Sequence, residues 1–349
     1  MKDIARDLGV SVVTVSKVLR NHTDIGEETR QRVLKRIKEL NYQPNLTARA
    51  LATGKTYTVG LVVPDLVHPF FAEVAKGVSA VLRKSGYSLI LASSEEDPKL
   101  EQQEISRLLA RRLDALIIAS AQWTVETFRT IEEHKIPYVL VDRRFAGLPA
   151  NFVGVDDELA GELATTHLVQ CGCRRVAHIR GPEVSTGLGR LAGYRRALEQ
   201  ANLKMPPDYI PPATAGDDDS EMRGRTAMRM LLQLDPRPDG VFCYNDPTAI
   251  GAMNAILEAG LRIPEDVAVI GCGNVHYDES LRVPLSSIDQ QSAVIGRKAG
   301  RLTLNLIGAK RPVRPKLILL EPRLVARAST ARLLDAARPL TGSRSESSV

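Results

Sequence analysis

Apolar positions in the first 40 residues recur at helical spacing and predict three short helices. The first begins near Lys2 and stops at Gly9, because a sharp turn costs glycine least. The second, Val12–Leu19, starts after Ser11, whose hydroxyl is suited to capping a free backbone N–H. The third covers Glu27–Leu40. Two short helices around a glycine turn are typical of a helix-turn-helix, whose second helix enters the major groove of DNA.

The apolar faces of the second and third helices predict a small three-helix core. Its expected members are Val15, Val18, Leu19, Val33, Ile37 and Leu40. The opposite face of the second helix presents Val12, Val13, Ser16 and Lys17 outward.

From Tyr57 onward, short apolar runs alternate with amphipathic stretches, and this βα rhythm occurs twice. The expected strands are 59–63, 88–93, 115–120, 138–142, 175–180, 209–212, 240–244 and 267–271. The expected helices are 70–84, 98–111, 124–135, 159–171, 189–201, 220–234 and 246–259. Two βα series predict two doubly wound α/β lobes with a cleft between them.

Ligands in such sheets bind at the carboxyl ends of the strands. The side chains expected there are Asp65, Phe70, Ser93, Asp142, Arg143, Arg190, Asn245, Asp246 and Asn274.

Positive charge is concentrated at the beginning of the chain. Residues 1–55 hold 11 Lys and Arg against 6 Asp and Glu, and the remaining residues hold 36 against 35. A basic first segment on a nearly neutral body favours a polyanion as partner of that segment. A general surface bias would produce the same count, so the charge alone does not decide.

Other composition signals exclude several classes of protein. No apolar run resembles a signal peptide or approaches a membrane span, so we expect a cytoplasmic protein. The cysteines Cys171, Cys173, Cys243 and Cys272 have neither zinc nor redox spacing and are expected to be reduced thiols. The histidines form no metal-ligand pairs, and no cofactor motif is complete. Gly54-Lys55-Thr56 ends like a P-loop, but Arg49 stands where the first glycine is required.

A short helix is expected between the two parts of the chain. Pro44 disfavours helix at the residue before it, Asn45 is a good N-cap, and Gly54 is a good terminator. The intervening 46–52 spans about two turns, which is too short for a stable isolated helix. We therefore expect it to be helical only against a partner, as suits a switch.

The headpiece resembles the LacI/GalR family of bacterial transcription regulators. The resemblance is carried by Asp3-Ile4-Ala5, Gly9-Val10-Ser11, Thr14-Val15-Ser16-Lys17-Val18-Leu19, Thr29-Arg30, Val33, Asn41-Tyr42-Gln43-Pro44-Asn45, Ala48-Arg49 and Leu51. It implies a homodimer on a pseudo-palindromic double-stranded operator, with paired recognition helices in the major groove and paired hinge helices in the minor groove.

The same resemblance implies roles for individual residues. The phosphate-positioning residues are Ser11, Thr14, Ser16 and Tyr42. The base-reading residues are Val12, Val13 and Lys17, which offer apolar contact to a thymine methyl and donation to guanine. Asn45 begins the hinge helix and Arg49 lies on it. Leu51 matches a wedge between base pairs, although simple dimer packing would also explain it. Arg20 replaces the usual Asn, and a phosphate-touching arm ahead of the first helix is either absent or upstream of Met1.

The body resembles the family's effector domain, which is shaped like a periplasmic sugar-binding protein. The matching motifs include 69–71, 112–117, 154–156, 190–194, 245–246 and 284–288. By this resemblance Arg190 binds effector hydroxyls or carboxylates, Phe70 stacks on a ring, and Asn245 and Asp142 add polar contacts. A salt bridge across the cleft is the alternative for Arg190. Gly273 stands where the family usually has an acid, which together with Arg143 and Arg144 leaves room for an acidic ligand.

The expected domains are a DNA-binding headpiece (1–44), a hinge and linker (45–56), a two-lobed effector and dimerisation domain (57–330) and a disordered tail (331–349). The first lobe is expected to comprise about 57–154 and 286–313, and the second about 155–285 and 314–330. The chain is thus expected to be a repressor controlled by a sugar or sugar derivative, without enzyme activity. A solute-binding protein and a Rossmann-like enzyme are the rivals, and the headpiece argues against both.

Overall fold

The computed structural model describes residues 1–19, 22–42, 50, 54–212, 219–311 and 313–332. The chain divides into two compact units, Met1–Tyr57 and Thr58–Val349. None of the helices in the described ranges is long and apolar enough to cross a membrane.

The first unit contains helices α1 (Lys2–Leu8), α2 (Val12–Leu19) and α3 (Glu27–Glu39). These helices close around a core of buried apolar side chains from all three. The fully buried members are Ile4, Ala5, Val15, Val18 and Val33. Leu40 was expected in this core but is 43% exposed, because α3 ends one residue earlier and Leu40 is its C-cap.

The second unit alternates strands and helices. The strands are β1 (Thr58–Val63), β2 (Ser88–Ser93), β3 (Ala115–Ile118), β4 (Tyr138–Val141), β5 (Asn151–Val155), β6 (Val176–Ile179), β7 (Gly240–Cys243), β8 (Ala268–Gly273), β9 (Ser286–Asp289), β10 (Leu317–Leu320) and β11 (Arg323–Val325). The helices are α4 (Pro69–Lys84), α5 (Pro98–Ala110), α6 (Glu126–Glu133), α7 (Asp157–Gln170), α8 (Ser185–Gln200), α9 (Ser220–Leu232), α10 (Asp246–Glu258) and α11 (Ser292–Gly308).

These strands form two sheets, each covered by helices. The six-stranded sheet has the order β10-β5-β4-β3-β1-β2 and is parallel throughout. The five-stranded sheet has the order β11-β9-β8-β7-β6, with only β11 antiparallel. We call the part built on the six-stranded sheet the first lobe and the part built on the five-stranded sheet the second lobe. Two doubly wound α/β lobes are the expected fold class, which is confirmed.

Two strands lie in the opposite lobe from the one expected. No strand was predicted at either place, but the residues of β9 lie in 286–313, expected in the first lobe, and those of β10 in 314–330, expected in the second. Strand β9 pairs with β8 in the second lobe, and β10 pairs with β5 in the first. Helix α11 between them packs on α4 of the first lobe, and its residues Ile295, Ala299 and Leu302 join that lobe's core. The chain therefore crosses between the lobes three times, after β5, β9 and β10. Strand membership is decided by backbone pairing, which local periodicity does not encode.

The strand expected at 209–212 is wrong. A single 3-10 turn, Pro207–Tyr209, occupies its beginning. Four prolines in residues 206–212 remove the N–H groups that a sheet ladder needs. The Tyr209 hydroxyl instead donates to the carbonyl of Pro236 at 2.8 Å.

The four cysteines are free thiols, of which Cys171 is half-buried and the other three are buried.

Candidate DNA-reading surface and ligand cleft

Helix α2 presents two valines to solvent. Val12 is 40% exposed and Val13 is 64% exposed, whereas Val15 on the opposite face is fully buried. The backbone N–H of Thr14 donates to Ser11 Oγ at 3.0 Å, so Ser11 is the N-cap expected from the sequence. Val12 and Val13 thus form an exposed apolar surface at the N-terminus of α2. Such a surface can contact the thymine methyl groups in the major groove of DNA.

The same unit carries other residues expected to contact DNA. The Lys17 ammonium is paired with the Asp24 carboxylate, and this pairing lowers the pKa of Asp24. Ser16 is half-buried on the helix. Tyr42 is half-buried and packs against the three-helix core, with its N–H donating to the carbonyl of Ile37 at 2.9 Å. Arg20, Asn45, Arg49 and Leu51 lie outside the described residues.

The two lobes meet at the carboxyl ends of their sheets. His68, the N-cap of α4 in the first lobe, places Nε2 3.1 Å from Nδ2 of Asn245, the N-cap of α10 in the second. The backbone N–H of Arg144 donates across the same gap to Ser185 Oγ at 3.0 Å. Direct polar contacts therefore join the lobes at this edge.

Arg190 is the most highly connected side chain at this edge. It comes from α8, and its exposure is 2%. Its Nε and Nη2 contact Asp157 Oδ1 at 3.0 and 2.9 Å. Its Nη1 donates to the carbonyl of Tyr244 at 2.6 Å, and its Nη2 donates to Gln290 Oε1 at 2.9 Å. The alternative of a salt bridge across the cleft is not what is observed, because Asp157 and Arg190 both belong to the second lobe.

Burial raises the pKa of two carboxyl groups around Arg190. The pKa of Asp157 rises to about 7, although the nearby guanidinium acts to lower it. Burial also raises the pKa of Asp142, which follows β4 in the first lobe with φ +63° and interacts electrostatically with Arg190. Because burial disfavours the ionised form of both carboxyls, they compensate the permanent positive charge of Arg190 only in part.

Arg143 is compensated by a carboxylate of its own lobe. Its guanidinium donates to both carboxylate oxygens of Glu96 at 2.8 and 2.7 Å, a bidentate arrangement. Nη1 also donates to the carbonyl of Ser120 at 3.2 Å. Arg143 is 5% exposed, whereas the Glu96 side chain is 44% exposed, so the buried cation is paired with a carboxylate at the surface.

Three other expected effector residues have local partners. Phe70 is 4% exposed and belongs to the first-lobe core, with its ring edge-on to Phe71 at 5.1 Å. Asp65 accepts from the N–H of Val67 at 2.7 Å. Asn274 Oδ1 accepts from Arg327 Nη2 at 2.7 Å, which turns this oxygen toward its own lobe. Within the described residues, the Asn274 side chain makes no hydrogen bond to another residue that was expected to bind the effector.

The unusual Gly273 is explained by its neighbour Asp246. A Cβ at Gly273 would lie 2.5 Å from Asp246 Oδ2, and its φ of +150° favours glycine. The buried carboxylate of Asp246 accepts from Ser287 Oγ at 2.6 Å and from the N–H of Val275 at 3.2 Å. Gly273 is the last residue of β8, and the buried Asp246 of α10 occupies the space that a side chain at this position would need.

Three residues of this region escaped the sequence reasoning, namely Asp157, Tyr244 and Gln290. Asp157 lies two residues after β5 and Gln290 directly follows β9, two strands that the apolar pattern did not predict. Tyr244 contributes its carbonyl and a ring whose centroid lies 4.7 Å from the Arg190 guanidinium carbon. The motif at 190–194 contains Arg190 itself, but it contains none of the residues that pair with Arg190.

Comparison with known proteins relates both units to characterised ones. Residues 1–45 match the family model of bacterial regulatory proteins of the lacI family, and residues 165–330 match that of the periplasmic binding protein-like domain. The HTH-type transcriptional repressor PurR of Haemophilus influenzae (strain PittEE) is 33% identical over 314 residues, covering 89% of this chain and 91% of PurR. PurR of Histophilus somni (strain 129Pt) is 32% identical over 335 residues, covering 95% and 99%.

Solved structures agree over nearly the whole chain. The lac repressor dimer bound to operator and the anti-inducer ONPF superposes with a TM-score of 0.81 at 25% identity, covering 94% of this chain and 98% of that one. The complex of the transcriptional regulator CelR with cellobiose gives a TM-score of 0.72 at 30% identity, covering 93% and 98%.

A helix-turn-helix unit followed by two periplasmic-binding-protein-like lobes defines a DNA-binding transcriptional regulator. The chain belongs to the LacI family, and of the relatives named above PurR and the lac repressor are repressors and CelR is a transcriptional regulator. The resemblance found in the sequence is therefore confirmed.

Proposed function

We propose that the chain acts as a homodimer on a pseudo-palindromic operator and that a small molecule in the cleft between the lobes controls it. In this mechanism α2 enters the major groove and residues 45–52 fold onto the minor groove. Support comes from the outward valines of α2 and from the similarity to a repressor dimer bound to operator.

The observation that carries the control mechanism is the contact between His68 and Asn245. A ligand bound at the carboxyl ends of both sheets has to replace or strengthen this contact, and either change alters the angle between the lobes. In a dimer, that angle sets the spacing of the two hinge segments. Coupling of this kind is reciprocal and typically amounts to about 1–3 kcal/mol.

The charges at the cleft favour an uncharged, hydroxyl-rich ligand such as a neutral sugar. Arg143 is paired with Glu96 and Arg190 with Asp157, so a ligand carboxylate or phosphate would have to displace a carboxyl group that each guanidinium already contacts. The carboxyl, amide and imidazole groups nearby can form hydrogen bonds with the hydroxyl groups of such a ligand. The CelR complex with cellobiose shows that a related regulator binds a neutral sugar.

The test is isothermal calorimetry of the full chain against four groups of compounds: neutral mono- and disaccharides, uronic acids, sugar phosphates and nucleosides. We expect saturable binding within the neutral sugars only, and a shift in operator affinity when that sugar is added to a gel-shift assay. Saturable binding confined to uronic acids, sugar phosphates or nucleosides would contradict this ligand class.

A further inference from the structure

The body of the chain is nearly neutral in total, but its charge is distributed unevenly between the two lobes. The relevant surface is the amino edge of each sheet, where the segments that join helices to the next strand lie. In the first lobe these segments are 83–87, 109–114, 132–137 and 307–316, counted from the last two residues of each helix. They contain nine Lys and Arg against three Asp and Glu.

The equivalent edge of the second lobe is different. Its segments 169–175, 231–239, 257–267 and 279–285 contain five Lys and Arg against six Asp and Glu. Several of these charges are paired, as in Arg175 with Asp239 and Arg262 with Asp266. The two edges thus carry net charges of +6 and −1.

The cations of the first-lobe edge are available to a partner. They are Arg83, Lys84, Arg111, Arg112, Lys135, Lys310, Arg311, Arg314 and Lys316, and all nine are exposed. Within the described ranges, none of the nine is in an ion pair. Helix dipoles favour cations at helix C-termini, but they act equally in both lobes and cannot explain the difference.

The densest part of this edge is the connection between α11 and β10. Lys310, Arg311, Arg314 and Lys316 lie within seven residues that contain no acid. Lys310, Arg311 and Lys135 also line a cavity of about 420 Å³.

We infer that the basic amino edge of the first lobe is a second DNA-binding surface, which contacts phosphates of the duplex that the headpiece binds. The chain enters the first lobe at this edge, because β1 begins at Thr58 directly after the DNA-binding unit ends at Tyr57. Six strands spaced about 4.8 Å apart make the edge about 24 Å wide. Duplex DNA carries roughly 14 phosphate charges over that length, at one per about 1.7 Å of axis. The basic edge thus matches the phosphate backbone of a duplex and is not expected to select a base sequence.

The experiment compares two variants of the full chain that lose the same charge. The test variant is Lys310→Gln/Arg311→Gln/Arg314→Gln/Lys316→Gln. The control variant, Arg195→Gln/Lys204→Gln/Arg237→Gln/Arg282→Gln, removes four exposed second-lobe cations that also make no ion pair within the described chain. Binding of a fluorescent 40-bp duplex of random sequence is measured by anisotropy between 50 and 200 mM KCl, after thermal melting has verified that both variants are folded.

Each lost phosphate contact lowers the slope of log K against log salt by about 0.9. We therefore expect the test variant to lose about 2 to 4 from that slope and at least about tenfold in affinity at the lowest salt, while the control keeps the wild-type slope. A test variant with wild-type slope and affinity would overturn the inference and leave this edge to another partner. Equal losses in the two variants would also overturn it, because net charge alone would then explain the effect. The outcome of this experiment does not depend on whether the cleft binds the proposed effector.

Discussion

The imidazole of His68 and the side-chain amide of Asn245 connect two helix N-termini that belong to different lobes. His68 Nδ1 accepts from the N–H of Phe70 at 3.3 Å, and Asn245 Oδ1 accepts from the N–H of Thr248 at 2.9 Å. The remaining nitrogen atoms of the two side chains face each other at 3.1 Å. Each residue is thus held in place by capping its own helix, which makes the contact between the lobes specific in position.

The first prediction concerns pH. Burial lowers the pKa of His68 to about 4, and the backbone N–H of Phe70 donates to Nδ1, the nitrogen that a second proton would have to occupy. In the unfolded chain, the pKa of the same imidazole is about 6.5. As pH falls from about 6.5 to about 4, the unfolded state binds more protons and the free energy of unfolding falls.

Urea unfolding of wild type and His68→Gln at pH 7 and pH 4.5 tests this, and the variant should lose less stability between the two. His178, whose pKa burial also lowers to about 4, is present in both proteins, so the difference isolates His68. Identical losses would show that His68 does not titrate in this way.

A second prediction concerns the buried pair of Arg190 and Asp157. Arg190→Met should cost about 3–5 kcal/mol of stability, because it leaves Asp157 without its cation. Arg190→Met/Asp157→Asn should recover part of that loss and still fail to respond to effector. Chemical denaturation and effector-dependent gel shifts measure the two properties separately. A double variant less stable than the single one would refute the pairing.

The third prediction separates steric conflict from backbone strain. Gly147 has φ +77° and nothing within 4 Å of a Cβ position, so Gly147→Ala should cost only about 1–2 kcal/mol. Gly273→Ala adds a Cβ at 2.5 Å from Asp246 Oδ2 and should cost about 3 kcal/mol or more. Equal unfolding free energies for the two variants would mean that Asp246 does not occupy this space.

A fourth prediction compares two valines of α2. Val13→Ala should leave thermal stability unchanged, because Val13 is exposed, but should weaken specific operator binding by about 1 kcal/mol per lost apolar contact. Val15→Ala should do the reverse and destabilise the first unit by about 2 kcal/mol. Unchanged operator affinity in Val13→Ala would remove that side chain from base reading.

The fifth prediction concerns Leu51. If it wedges between base pairs, Leu51→Ala should weaken operator binding and leave binding to random-sequence DNA nearly intact, because a kink adds to specific contacts only. Gel shifts at one fixed salt concentration compare the two DNAs. Equal losses on both would contradict the wedge role.

The sequence alone was sufficient for the elements that depend on short-range order. The capped helix α2 and the buried valines of its inner face follow from helical periodicity and from the N-cap Ser11, and both are present. The apolar runs around β1, β3 and β7 are also found as buried strands. These features depend on residues within one or two turns of each other, so their pattern is readable along the chain.

The tertiary structure decided which distant residues come together. Strands β9 and β10 exchange lobes relative to expectation because their pairing partners are more than 10 residues away along the chain. The partners of Arg190 were missed for the same reason, since Gln290 lies 100 residues away from it. Local pattern predicts the shape of each element, but hydrogen bonds and charge compensation between remote segments exist only once the lobes are assembled, and these determine what the cleft can bind.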